Sequence, residues 1–159
     1  MLRFSALIVV LMCLSGLSGV MGVFKRADPF ESYGVVMLDS VIWDKVVPNY
    51  NSNTVVMVCA KGSIGKQETD SIRDHFMDMG EYSGMQHNIL YSQIIVNGAE
   101  NAMMVNKKFG ITNPNKELKR PKFFIYLPGS ETPISLQTRE IPEPDPTDLT
   151  YLITKHTGT

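Results

Sequence analysis

Seven consecutive residues, Thr54-Val55-Val56-Met57-Val58-Cys59-Ala60, constrain this chain more than any others. The run is rich in β-branched side chains and apolar on both alternating faces, the pattern of a central strand covered on both sides. A turn follows it, Lys61-Gly62-Ser63-Ile64, and then a helical pattern over 65–79. That helix would place Ile72, Phe76 and Met79 on its inner side, with Lys66, Glu68, Asp70, Arg73 and Asp74 mostly outside and Gly80 as its C-terminal stop. A helix N-terminus aimed by a buried strand stabilises anions, whether phosphate or thiolate. Three readings therefore compete for the turn: a phosphate loop, a redox loop, or the same scaffold without the chemistry.

The flanking segments alternate in the same way. Residues 35–38 suit a short strand, and Asp39 can cap a helix over 40–47, with Ile42/Val46 and Trp43/Val47 as i,i+4 pairs and Pro48 closing it. Residues 89–96 read as a third strand. Asn97 and Glu100 have capping-box spacing for a helix that runs to Phe109, carries Lys107 and Lys108 in its last turn and stops at Gly110. A polar loop over 112–120 leads to a strand at 122–127, a turn at Pro128-Gly129-Ser130 and a partner strand at 134–137. The proline-alternating stretch 141–146 should be extended, and a last helix over 147–156 buries Leu149, Leu152 and Ile153 before Gly158. Right-handed crossovers make the first three strands parallel. The predicted fold class is α/β, a thioredoxin-like fold with a central mixed sheet of three parallel strands plus an antiparallel hairpin, flanked by four helices.

The N-terminus predicts targeting. Arg3 precedes an apolar stretch over 4–14, and small residues follow through Gly22, the layout of a secretory signal peptide. The expected organisation is a signal peptide over 1–22, an N-terminal arm over 23–33 and one domain over 34–159. No later apolar stretch is long enough to span a bilayer, so no membrane association is expected once the signal is cleaved. The formal net charge of −1 and the absence of a basic stripe argue against nucleic acid. Of the two cysteines, Cys13 lies in the signal segment, so Cys59 alone remains and no internal disulfide is available. Three scattered histidines (His75, His87, His156) lack metal-ligand spacing, and neither a metal nor a cofactor is expected. Of the ten methionines, Met12 and Met21 fall in the signal segment, and Met57, Met77, Met79, Met103 and Met104 read as core or half-buried packing, Trp43 as a packing anchor, and Asp70, Asp74 and Asp78 as a solvated helix face.

For the phosphate loop, Lys66 stands in the right place, but Gln67 replaces the magnesium-binding hydroxyl. For the redox loop, the turn holds no cysteine, Cys59 lies before it inside the strand, and one thiol cannot run a dithiol cycle. Ser63 has no evident base. No catalytic residue is assigned.

The third reading gains from a resemblance. Residues 34–39, the Trp43-Asp44-Lys45-Val46-Val47-Pro48 helix end, Gly65-Lys66-Gln67, Lys108-Phe109-Gly110-Ile111 and Arg120-Pro121-Lys122-Phe123-Phe124-Ile125-Tyr126 resemble the N-terminal domain of the endoplasmic reticulum resident protein 29 / Windbeutel group. These are non-catalytic relatives of protein disulfide isomerase, and the resemblance covers about residues 34–157. It implies a chaperone-like protein that binds or escorts secretory clients in the endoplasmic reticulum without redox chemistry. It also implies a cis bond at Arg120-Pro121 and a client-binding surface formed by Lys61, Gly62, Ser63, Ile64 and Pro121. The chain departs from the family in its turn, where Gly62 and Ile64 replace tyrosines. It also ends at Thr159, without a helical C-terminal domain or a Lys-Asp-Glu-Leu signal, as a fragment or a short secreted form would. Two other classes stand beside this expectation: a thiol-dependent oxidoreductase or isomerase using Cys59, and a structural module that pairs as a homodimer.

Overall fold

The computed structural model describes residues 34–47, 51–82 and 87–159; the expected signal peptide and arm, and Pro48, lie outside the described residues. The chain forms β1 (Val35–Met37), α1 (Ser40–Val46), β2 (Thr54–Ala60), a 3-10 turn (Lys61–Ser63) and α2 (Gln67–Tyr82). It continues with β3 (Leu90–Val96), α3 (Ala99–Phe109), α4 (Pro114–Glu117), β4 (Lys122–Tyr126), β5 (Ile134–Ser135) and α5 (Pro146–Thr157). The sheet order is β1-β3-β2-β4-β5. β3 runs parallel to β1 and β2, while β4 is antiparallel to both β2 and β5. This is the expected mixed sheet, with a fifth, one-turn helix that sequence reasoning passed over as loop.

Every residue of β2 is buried because the strand feeds two cores. Val55, Met57 and Cys59 face Ile72 and Phe76 of α2 and Leu149 and Leu152 of α5. Val56, Val58 and Ala60 face Trp43 of α1 and Val105 of α3. The period of two thus places alternate residues in opposite layers, and neither layer can lose its partner helices without exposing the strand.

The caps show which local signals decide. Asp39 caps α1, its carboxylate accepting from the N–H groups of Val41 and Ile42 at 2.8 and 2.7 Å. Trp43 anchors α1, with ring centroids of Phe109 and Tyr126 each 5.5 Å away in edge contacts. α3 corrects the expected capping box. Its N-cap is Gly98, at φ +102°, a conformation that a residue with a Cβ rarely adopts, and Asn97 makes no cap. Glu100, released from that duty, accepts a hydrogen bond from Ser40 and ties α3 to the start of α1. α4 begins with an Asn113 cap and Pro114 at its first position, a start signal present in the sequence. α5 has a full Asp145/Asp148 capping box, one residue ahead of its expected start.

Gly80 corrects the expected helix stop. It lies inside α2, which runs two residues further. A Cβ there would sit 2.4 Å from Val35 Cγ2, and one on Gly34 would sit 2.7 Å from the Gly80 carbonyl oxygen. Gly80 is therefore the point where the backbone of α2 touches β1. Arg73, expected outside, is only 7% exposed. Met103, expected to pack, is 73% exposed.

Candidate functional site

The end of β2, the 3-10 turn and the first turn of α2 place the residues singled out in the sequence. Lys61 and Gly62 are exposed and Ile64 is half-buried, whereas Ser63 and Pro121 are buried. The Ser63 hydroxyl turns inward and donates to the Ala60 carbonyl at 2.8 Å. Side-chain contact with a partner at this turn therefore falls to Lys61 and Ile64. The turn is closed internally. Ile64 N–H donates to the Lys61 carbonyl at 3.3 Å, and Lys66 N–H to that of Ser63 at 3.4 Å. Gly65 N–H, which a phosphate loop would offer to its ligand, donates to the Asp70 carboxylate at 3.0 Å. Asp70 had been read as part of a solvated face. Together with Glu68 it supplies the negative charge that the N-terminus of α2 favours. An incoming phosphate would meet a carboxylate already in place.

Cys59 is 0% exposed and forms no disulfide among the described residues. Burial pushes its thiol up to about 12, with Arg73 pulling weakly the other way and Asp70 adding to the rise. Such burial keeps the thiol protonated at neutral pH, within the core. No group of three His, Cys, Asp or Glu residues able to hold a metal ion occurs among the described residues. None of the described helices is long and apolar enough to cross a membrane.

The peptide bond before Pro121 is trans, contrary to the cis bond implied by the resemblance, and no peptide bond among the described residues is cis. Trans is the lower-energy isomer for X-Pro by about 0.5–1 kcal/mol. The neighbouring contacts all form around it. The Pro121 carbonyl accepts from Gln137 Nε2 at 3.4 Å, and Gln137 Oε1 accepts from Phe123 N–H at 3.1 Å. One amide side chain thus extends the β4–β5 pairing past the two-residue β5. This is also why the partner strand, expected over 134–137, is shorter than its alternation suggests.

Beside Pro121 lies a groove of about 780 Å³, walled by the first turns of α2, the α4–β4 connection and a proline-rich strap over 142–146. Ile72, Pro121 and Phe123 contribute its apolar part. Arg120 fastens it. One guanidinium nitrogen lies 2.7 Å from Glu68 of α2, and the other 2.7 Å from Glu143 of the strap. Lys122 lies 3.7 Å from Glu117, whose carboxyl is held below its ordinary range, first by the Asn113 N–H and then by the Thr112 hydroxyl. The strap, expected to be extended, bends at Pro142 and Glu143 and is extended at Asp145; just before it, Thr138 N–H donates to the Ile141 carbonyl at 3.0 Å. Sequence reasoning noted Arg120 only beside its proline. Nothing local links it to carboxylates 52 and 23 positions away, since the pairing exists only once β4 lies between α2 and the strap.

With this geometry the chain can be set beside known proteins. No protein-family model matches the sequence, and no curated protein matches it. Solved structures do. The J-Trx1 fragment of ERdj5 aligns over 79% of this chain with a TM-score of 0.52 and 11% identity; the chain spans about half of that fragment, 53%. A thioredoxin from Malassezia sympodialis aligns over 83% of this chain and 99% of its own length, with a TM-score of 0.53 and 16% identity. A thioredoxin from Trypanosoma brucei brucei covers 83% and 98%, with a TM-score of 0.51 and 15% identity. At such identities the likeness is one of fold: the chain has a thioredoxin-like fold.

Proposed function

We propose that this chain is a redox-inactive member of the thioredoxin-like proteins, acting in the secretory pathway by binding, escorting or helping to fold client proteins in the endoplasmic reticulum. The observation that carries the reading is the position of its thiol. Cys59 is sealed in the core inside β2, while the turn that would present a C-x-x-C pair is Lys61-Gly62-Ser63-Ile64 and satisfies its own hydrogen bonds. A groove of about 780 Å³ beside Pro121 supports the reading as a place for a client segment. The likeness to the endoplasmic reticulum resident protein 29 / Windbeutel group and the signal-like N-terminus support the compartment. Client contact is assigned to Lys61, Gly62 and Ile64, with buried Ser63 and Pro121 shaping the surface from beneath.

The test is a disulfide-reduction assay with the wild type and Cys59→Ser, run beside suppression of aggregation of an unfolded client. Background reduction by both proteins, with dose-dependent suppression, is the expected outcome. Catalytic turnover that vanishes in Cys59→Ser would sink the proposal and restore the thiol enzyme. A second reading, a homodimerising structural module, is favoured by one observation: Val41 is 60% and Met103 73% exposed on the adjacent helices α1 and α3. Sedimentation across concentration decides it.

A further inference from the structure

We infer that the groove beside Pro121 takes an extended peptide bearing carboxylates, and that Glu143 occupies part of its site as a tethered competitor. The inference rests on the client-binding reading and names the class of client. It comes from the state of the charges around the groove. Four carboxylates line it, and each is engaged within the chain. Glu68 and Glu143 hold Arg120, Glu117 pairs with Lys122, and Asp145 caps α5 by accepting from Asp148 N–H at 2.8 Å. The cations differ. Lys66, Lys116 and Lys119 line the same groove, are exposed, and form no ion pair among the described residues. The lining thus carries five cations against four carboxylates, a small positive surplus, and its groups without an ion-pair or hydrogen-bond partner among the described residues are the lysines rather than the carboxylates.

Opposite these lysines the exposed or half-buried strap prolines Pro142, Pro144 and Pro146 supply apolar surface for alternate side chains of an extended strand, while Ile72, Pro121 and Phe123 lie buried beneath the groove. Arg120 is 44% exposed, so a ligand carboxylate can reach the guanidinium arm now held by Glu143. Exchange of one carboxylate for another leaves that arm paired and frees the strap. A peptide of alternating apolar and acidic residues thus meets both features of the groove, and a basic peptide meets repulsion at three lysines.

The experiment is fluorescence anisotropy of the purified chain with a labelled peptide alternating leucine and glutamate, and with its leucine–glutamine counterpart. The glutamate peptide should bind at least about fivefold more tightly at low salt, with the margin shrinking as salt is added. Glu143→Gln should tighten it about threefold, and Lys66→Gln or Lys119→Gln should each weaken it about two- to fivefold. The glutamine peptide should be unmoved by the lysine variants. Thermal melts of each variant confirm that the fold is intact. Equal affinity for the two peptides, no response to Glu143→Gln, or equally good displacement by inorganic phosphate would overturn the inference and leave the client-binding reading standing. Failure of both peptides to bind would overturn the inference, while the client-binding reading falls only if aggregation of the unfolded client also goes unsuppressed.

Discussion

Gly80→Ala is the substitution for which local and tertiary physics predict opposite signs. In an exposed helix interior, alanine is favoured over glycine by about 1 kcal/mol, because glycine gives up more conformational freedom on folding. Here the new Cβ would lie 2.4 Å from Val35 Cγ2, 3.0 Å from the Gly34 carbonyl oxygen and 3.2 Å from Tyr91 Cβ. Carbon atoms normally meet at about 3.5–4.0 Å, so the contact with Val35 is more than about 1 Å too short. Retreat is blocked. Val35 is 5% exposed on a strand paired with β3, and Gly34, at φ +77°, is itself in backbone contact with α2. Overpacking of this kind costs about 1–3 kcal/mol. The net expectation is a loss of about 0–2 kcal/mol, against a gain of about 1 kcal/mol for an unconstrained helix glycine.

Urea unfolding followed by Trp43, the sole tryptophan and 2% exposed when folded, reads the midpoint directly. Val35→Ala supplies the internal check. Alone it removes two methyl groups and costs about 1.5 kcal/mol, but it also clears the atom that the Cβ introduced by Gly80→Ala would strike. The double variant should therefore lose at least about 1 kcal/mol less than the sum of the singles. Gly62→Ala, with no atom within 4 Å of its Cβ, is the matched control and should be close to neutral. A stabilised Gly80→Ala, or strict additivity with Val35→Ala, would refute the close crossing of β1 and α2.

Further outcomes follow from other contacts. Above pH 9.0, its ordinary value, the unfolded Cys59 thiol loses its proton while the folded one keeps it to about 12. The native state then binds more protons and stability falls as pH rises, by at most about 1.4 kcal/mol per unit from this group. Cys59→Ala should flatten that decline without removing it, since burial also pushes Tyr91 and Tyr126 up to about 12; identical slopes in the two proteins would contradict the buried thiol. Asp39→Ala removes the acceptor for two N–H groups of α1 and should cost about 1 kcal/mol in urea unfolding, where an unchanged midpoint would count against the cap. Gln137→Ala should cost about 1 kcal/mol and speed hydrogen exchange at Phe123 N–H. Unchanged exchange there would mean that the amide does not extend the sheet.

What the sequence revealed and what it hid divide along a physical line. β2 was legible because burial on both faces writes a continuous apolar run, and Asp39 and Gly110 were legible because caps act within a few residues. Gly80 misled because its reason lies on β1, 45 residues earlier at Val35; a helix-end glycine and a close-approach glycine look alike from within the helix. Asn97 misled because its spacing to Glu100 is that of a capping box, whereas the helix starts from Gly98 with no side-chain cap. Helical periodicity points Arg73 outward and the resemblance puts Ser63 on a binding surface, yet both are buried, Ser63 to bond a carbonyl of its own turn. The groove was hidden entirely, since it forms from three segments that only β4 and Arg120 bring together.

These placements bear on where activity can reside. Thiol chemistry in this fold needs a nucleophile beyond the strand, at the turn where the helix N-terminus meets it. Cys59 is still on the strand, in phase with Val55 and Met57, so the alternation that builds the core also buries its thiol. At the turn itself, the two features able to hold an anion or activate a group are used internally: the Ser63 hydroxyl on Ala60 and the Gly65 N–H on Asp70. Beyond the first turn of α2 the balance reverses, because the groove keeps exposed lysines with no ion-pair partner among the described residues, and an arginine whose second carboxylate comes from a strap. The turn therefore offers a partner only the exposed Lys61, Gly62 and half-buried Ile64, while the groove offers several exposed lysines. Substitutions at Arg120 and Lys66 should disturb binding more than any at Gly62.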